Sequence, residues 1–313
     1  RAHPLTRTAK RGRLMQRGQL HWGPVLVLVV LGIVWGGNMA SIKIGAREIA
    51  PVFQAGLRSA LATLCLAAWM IARGIPFFPS RRAALHGAVL GVMFAAEFGL
   101  LYVGLEHTLA SRAYVLLYTA PFFVALEAHL LLPGDRLNPG KALGLILAFS
   151  GVVLLFSRDL GGASLGWLAG DLLALAAGAL WGSTTVYLKR YLAGHVEPAQ
   201  SLFYHVFYSA PLLIALSLLM EDRLMWGFST PTLLAVLYQG VLVASVSYLT
   251  WFMLVHRFPA SLLHAFSFFT PVAGVFISGW LILDEPLSLR LLASLALVSA
   301  GLLLVNRVPR PKT

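Results

Sequence analysis

The chain has 313 residues, 58% of them hydrophobic and 12% charged, with a mean hydropathy of +0.80. A soluble domain carries about 25% charged residues, so a water-facing surface cannot be covered and a soluble enzyme is excluded. The net charge of +12 sits in residues 1–17, in short connections and after Asn306, the distribution of a membrane protein with basic loops inside rather than of a nucleic-acid binder.

Taken in chain order, ten apolar stretches follow one another, near 23–45, 51–72, 83–105, 110–132, 139–157, 166–189, 198–220, 231–255, 259–282 and 287–306. Each is about 20 residues long, the length of a helix that crosses a hydrocarbon core of about 30 Å. Barrel strands would instead alternate over about ten residues. The first stretch follows a basic segment, as a signal peptide would, but its apolar run continues past Trp35 without a small-residue cleavage site and reads as a retained helix. Turn chemistry separates the stretches at Arg73-Gly74 with Pro76 and Pro79, at Pro133-Gly134-Asp135, at Gly161-Gly162 and at Asp284-Glu285-Pro286. No connection is long enough for a catalytic domain. The single cysteine, Cys65, lies within an apolar stretch and allows no internal disulfide.

With the N-terminus in the cytoplasm, seventeen Lys and Arg fall on the cytoplasmic side and five on the other, Arg47, Arg112, Arg158, Arg223 and Arg290. This asymmetry predicts both termini inside. Sliding the chain against itself by 146–150 residues reveals a repeat: Trp35-Gly36 falls on Trp181-Gly182, Lys43 on Lys189, Pro51 on Pro198, Arg58 on His205, His107 on His256, Ala110-Ser111 on Ala260-Ser261, Pro121 on Pro271 and Asp135 on Glu285. Five spans per repeat is an odd number, so the second half starts on the opposite side of the bilayer. The expected fold is therefore an all-α membrane protein of ten transmembrane helices in two inverted five-helix halves, an arrangement suited to alternating access. The expected organisation is a basic cytoplasmic tail (1–22), a first half (23–157), a linker (158–165), a second half (166–306) and a second basic tail (307–313).

The two five-helix repeats, the Trp-Gly pairs of spans one and six, the Ala-Ser…Pro of spans four and nine, and the acidic residues in Gly134-Asp135-Arg136-Leu137 and Asp284-Glu285-Pro286-Leu287 resemble the drug/metabolite transporter superfamily, EamA type. The resemblance covers residues 23–306 and identifies the fold better than the substrate. It implies export of amino acids and related metabolites across the inner (plasma) membrane, and within the family the chain is similar to the aromatic amino acid exporters. The small four-helix drug exporters of the superfamily use a carboxylate in their first helix; here residues 25–45 hold none, which counts against export of organic cations by that mechanism.

A charge at the bilayer centre costs at least ~2.5–3.5 kcal/mol on insertion scales, so ionisable groups within spans come first. Glu97 lies mid-span, and its repeat position, near Val246, is not acidic. It reads either as a cavity carboxylate that meets a substrate ammonium or exchanges a proton, or as a glutamate fastening two helices, with Arg58 as partner. Tyr114 and Tyr118, four apart, share a helix face, and His264 takes the repeat position of Tyr114; pocket walls and interfacial anchors are the two readings. Trp35 and Trp181 match across the halves, with Asn38 and Thr184 three residues on as hydrogen-bonding groups, although plain helix packing explains the neighbouring glycines equally well. His205, with Tyr204 and Tyr208, is a lesser candidate. Lys43 and Lys189 are expected to snorkel, and Asp171 and His86 to face the interface. No phosphate-binding loop, metal-ligand spacing or catalytic triad is present, so no ATP, metal, cofactor or enzyme activity is expected. The expected substrate-binding wall is Trp35, Asn38, Glu97, Tyr114, Tyr118, Trp181 and His264. It would take a small molecule within a lipid bilayer, without nucleic acid and in a monomer. The competing readings are a permease for drugs or nucleotide-linked sugars, whose phosphates would need more buried basic groups, and a membrane-embedded lipid enzyme, which would need acidic or histidine clusters at one interface.

Overall fold

The computed structural model describes residues 22–131, 139–156, 165–192, 194–257 and 269–305; the expectations for His264, for Asp135 and for the two basic tails fall outside these. In chain order the helices are α1 (Trp22–Gly36), α2 (Asn38–Gly45), α3 (Pro51–Ala72), α4 (Arg81–His107), α5 (Ala110–Leu117), α6 (Ala120–Leu131), α7 (Pro139–Phe156), α8 (Leu165–Tyr191), α9 (Pro198–Met220), α10 (Thr230–Leu237), the π-helical π1 (Tyr238–Ser247), α11 (Tyr248–Arg257), α12 (Phe269–Gly274), π2 (Val275–Ile282) and α13 (Leu289–Val305). Among the described residues the only strand-like feature is one isolated bridge, Ile49 to Met225.

Among the described residues, seven helices are long and apolar enough to cross a membrane, from Leu26–Gly45 to Thr230–Leu254. Three shorter apolar helices, Ala142–Leu155, Thr270–Ile282 and Leu289–Gly301, adjoin stretches outside the described residues. The starts of the long helices are chemically specified. Pro51 and Pro198 each open a helix at its first position, where a missing N–H costs nothing. Ser80 accepts from the Ala83 N–H at 3.1 Å, and Glu197 and Gln200 form a reciprocal capping box. Large apolar side chains such as Leu64, Ile71, Leu130 and Leu219 are exposed on the outside of the bundle, while Gln54, Arg58, Ser59, Glu97, His205 and Gln239 are buried inside it. That inversion of the soluble pattern is what a hydrocarbon solvent requires.

The packing is paired. α7 lies along α13 and α3 along α9; α4 packs on α8 as α10 packs on α2, and α6 on α8 as α12 on α1. The close approaches are reciprocal too. A Cβ on Gly36 would stand 3.1 Å from Ala273 Cβ and 3.3 Å from the Gly274 nitrogen, and one on Gly182 would stand 2.8 Å from Phe123 Cβ and 3.2 Å from the Val124 nitrogen. A Cβ on Gly151 meets the Ser294 carbonyl at 2.9 Å, and one on Gly301 meets the Gly144 carbonyl at 2.5 Å. At the α3–α9 crossing, the Ser209 hydroxyl donates to that of Ser59 at 3.0 Å. Small residues let these backbones touch, which is how helices associate in lipid.

Four stretches expected as single helices are interrupted. The first breaks at Gly37, between α1 and α2, and two hydroxyls sit between the groups a continuous helix would pair. Tyr114 accepts from the Met39 N–H at 3.2 Å and donates toward the carbonyls of Trp35, at 2.5 Å, and Gly36, at 2.8 Å. Ser278 accepts from the Ala40 N–H at 3.0 Å and donates to the Gly36 carbonyl at 2.6 Å. The Tyr238 hydroxyl donates to the Val34 carbonyl, and only glycine at 37 leaves it room, since a Cβ there would stand 2.8 Å from that oxygen. Side chains inserted into the backbone ladder are a recognised cause of a helix kink. The fourth stretch breaks at Tyr118–Thr119, and the eighth and ninth contain π1 and π2. π-Helical turns are rare and concentrate at functional sites.

One end of the bundle is stitched shut. Ala50 N–H donates to the Leu224 carbonyl at 2.9 Å, Trp226 N–H to the Glu48 carbonyl at 3.0 Å, and the Trp226 indole to the Arg47 carbonyl at 2.6 Å. Glu221 reaches across to accept from the Val52 and Phe53 N–H groups at 2.8 and 3.0 Å, at the positive start of α3. Glu285 does the same for α5, accepting from Ala110 and Ser111 at 2.8 and 2.9 Å.

Candidate functional site

Arg58 on α3 and Glu97 on α4 are charged residues buried within the bundle. Arg58 is 0% exposed and Glu97 5%. None of the three guanidinium nitrogens has a hydrogen-bond partner, nor has Oε2 of Glu97. No ion pair joins the two side chains. Arg58 Cζ instead lies 3.9 Å from the centre of the Phe98 ring, with Phe94 at 5.7 Å and Tyr248 at 5.5 Å. The Tyr248 hydroxyl is near enough to act on the guanidinium but not in hydrogen-bond geometry. A close ring face contributes roughly 0.5–2 kcal/mol to a cation, and the effect fades beyond about 6 Å. The effective penalty for burying an ion is several kcal/mol, so the rings alone do not offset the burial of this one.

Around the pair stand further polar groups. His205 of α9, the repeat counterpart of Arg58, packs edge-on to Phe94 at 5.4 Å and near Phe252 at 6.1 Å; its Nδ1 lies 2.6 Å from the Ser201 carbonyl. The Tyr102 hydroxyl and the Gln54 amide both donate to Oε1 of Gln239, at 2.7 and 3.2 Å. This network ties α3, α4 and π1 together directly beside the charges.

The expected wall residues divide between two connected groups. Trp181 stands edge-on to Tyr118 at 5.3 Å, Tyr118 lies 6.5 Å from Tyr114, and the Tyr114 hydroxyl is engaged at the Trp35–Gly36 carbonyls. Trp35 donates its indole N–H to the Ser247 hydroxyl at 2.8 Å and meets Tyr248 edge-on at 6.0 Å. Tyr248 then leads to Arg58 and Glu97. Asn38 begins α2, buried, with its side-chain oxygen unpartnered. His264 lies outside the described residues. Thr184 bonds back to its own helix, at the Leu180 carbonyl. The residues missed from sequence are Arg58 itself, read only as a fastener for Glu97, and Phe98 and Tyr248, which shield it. The signal available was Arg58 as a cation inside an apolar span.

Two interface expectations are corrected. Asp171 is fully buried, accepts from the Thr108 hydroxyl and pairs with the Arg112 guanidinium, whose Nε lies 3.0 Å from Oδ2. Lys43 does not reach for head groups; it donates to the Thr108 carbonyl at 2.6 Å. A shallow cleft of about 240 Å³ opens beside Arg112 and Trp167, remote from the residues that enclose Glu97.

The EamA-like transporter family matches residues 22–157 and 168–307. Among curated proteins, the uncharacterized transporter YoaV of Bacillus subtilis is 23% identical over 283 residues, covering 88% of this chain and 96% of its own. The probable amino-acid metabolite efflux pump of Salmonella typhimurium is 31% identical over 288 residues, covering 88% and 92%. Its Escherichia coli namesake is 28% identical over 286 residues, covering 89% and 92%. A solved crystal structure, 19% identical, superposes with a TM-score of 0.65 over 90% of this chain and 96% of its own, a likeness of fold. A bundle of membrane-spanning helices with buried charges at its centre, matched by one family over nearly its whole length, is a membrane transporter: the chain belongs to the EamA-like transporter family.

Proposed function

We propose that this transporter exports amino acids, aromatic or other neutral ones, and related metabolites by alternating access. Its two inverted five-helix halves, 23–157 and 166–306, rock about a central site, and both termini lie in the cytoplasm. The inverted arrangement is supported by matched close approaches at repeat positions, Gly36 at Ala273 with Gly182 at Phe123, and Gly151 at Ser294 with Gly301 at Gly144. The termini follow from the basic-residue count alone.

The substrate site proposed is Trp35, Asn38, Glu97, Tyr114, Tyr118, Trp181 and His264, used by a monomer. The observation that carries it is the buried carboxylate of Glu97, which has an oxygen without a partner and would receive an ammonium group. Two relatives bear the name of amino-acid metabolite efflux pumps, which points to the same substrate class. Carriers of nucleotide-linked sugars would need several buried cations for the phosphates; among the described residues Arg112 already faces Asp171.

The test is uptake of a panel of labelled amino acids into proteoliposomes, with and without a pH gradient. Glu97→Gln is expected to fold and to change the uptake or its pH dependence. If Glu97→Gln and Tyr114→Ala both transport like wild type across the panel, the site is wrongly placed, and if no amino acid is carried, the substrate class is wrong.

A further inference from the structure

The geometry points to Arg58 as the residue that binds the substrate carboxylate, so that Arg58 and Glu97 together form a clamp for the zwitterionic end of an amino acid. The inference rests on the amino-acid reading above and adds the residue that makes the recognition two-sided.

Two groups of opposite charge, buried on neighbouring helices, would normally close on each other; here they form no ion pair. Each keeps hydrogen-bonding capacity unused: all three guanidinium nitrogens, and one carboxylate oxygen. A guanidinium presents its donors as a planar fork that fits a carboxylate with two parallel bonds. A single anion would satisfy Arg58 and leave Glu97 bare, and a single cation would do the reverse. A molecule carrying both charges on adjacent carbons satisfies both at once. The rings of Phe98, Phe94 and Tyr248 stand around the guanidinium. Aromatic faces are weak partners for a cation compared with a carboxylate, so they hold the side chain in place yet release it to an incoming anion. The same rings then lie beside the substrate side chain, which suits an aromatic or aliphatic amino acid. The asymmetry of the site follows as well: at the repeat positions stand His205 for Arg58 and the neighbourhood of Val246 for Glu97, so only one clamp exists per molecule.

The test uses the full-length protein in lipid nanodiscs and four unlabelled competitors of amino-acid binding: L-phenylalanine, L-phenylalaninamide, phenethylamine and 3-phenylpropionate. Wild type is expected to prefer phenylalanine over each analogue by about tenfold or more, the penalty for leaving one buried charge unpaired. Arg58→Gln is expected to abolish the preference of acid over amide while retaining binding of the amide. Glu97→Gln is expected to abolish the preference of phenylalanine over 3-phenylpropionate. Arg58→Lys, which keeps the charge and loses the fork, is expected to fall between and serves if the glutamine variant does not fold. If amino acids bind but wild type takes amide and acid equally, or if a folded Arg58 variant keeps the full preference, the clamp is wrong and the exporter reading stands. If none of the twenty amino acids competes, the exporter reading itself falls and the clamp with it.

Discussion

Tyr114→Phe isolates the hydroxyl that bridges the break in the first span. The ring would remain, packed against Gly274 and Tyr118, and only the oxygen would go. Its loss strands the Met39 N–H and the Trp35 carbonyl; the Gly36 carbonyl keeps the Ser278 hydroxyl. An unsatisfied buried polar group costs about 1–3 kcal/mol, while hydrogen bonds measured within bilayers average about 0.6 kcal/mol. Two groups therefore set a range of roughly 1–6 kcal/mol. With about 2–4 °C per kcal/mol for a domain of up to about 250 residues, the melting midpoint in nanodiscs should fall by at least about 2 °C. Ser278→Ala strands the Ala40 N–H and should cost a similar amount. Because both hydroxyls converge on Gly36, the double variant should depart from additivity by at least about 0.5 kcal/mol. A Tyr114→Phe protein that melts within about 1 °C of wild type would refute the reasoning. If it also lost transport selectively, the hydroxyl would belong to the substrate rather than to the helix.

Glu285→Ala removes the acceptor of two N–H groups at the start of α5 and should destabilise by about 3–6 kcal/mol, given roughly 1.5–3 kcal/mol per bond to a charged group; an unchanged melting curve would show that water replaces it. Glu48, in the connection after α2, is held below the ordinary glutamate range by hydrogen bonds from Thr232 and Ser229. Its folded value being the lower one, its contribution is present above the ordinary glutamate range and lost as pH falls through the folded value. Glu48→Gln should thus lower the melting midpoint at pH 7, and the gap to wild type should close as the pH drops below about 4; a gap that persists in acid rejects the assignment. Reporter fusions after Arg82, Lys141 and Arg307 should be cytoplasmic and those after Arg158 and Arg223 external, and reversal of two or more would overturn the orientation.

The membrane class was legible because hydrocarbon permits so few solutions: runs of twenty apolar residues have one cheap conformation. The Trp-Gly pairs were legible as matches, but a glycine says only that something comes close. That the visitors are Ala273 and the Tyr238 hydroxyl depends on residues more than 200 positions away. Arg58 was visible as a charge in a span and was given the nearest opposite charge as its partner. Within a nearly uniform apolar helix no periodicity tells which way a side chain points, so the separation of Arg58 from Glu97 could not be read. Asp171 failed for a related reason. Its place near a helix end suggested the interface, whereas Arg112, on the neighbouring helix, turns it inward. Tyr114 shows a third limit, since a tyrosine in a span reads the same whether its hydroxyl meets water, substrate or a carbonyl.

The broken first span has a consequence for the order of synthesis. Its carbonyls at 34 and 36 are served by Tyr238 and Ser278, which follow by 204 and 242 residues. At about 5–20 residues per second, the ribosome makes Ser278 some 10–50 s after Gly36 leaves it. During that interval the first half holds Tyr114 within reach of the break but lacks Tyr238 and Ser278. This span is thus made well before two of the groups that finish it, and a chain stopped before Tyr238 cannot complete it.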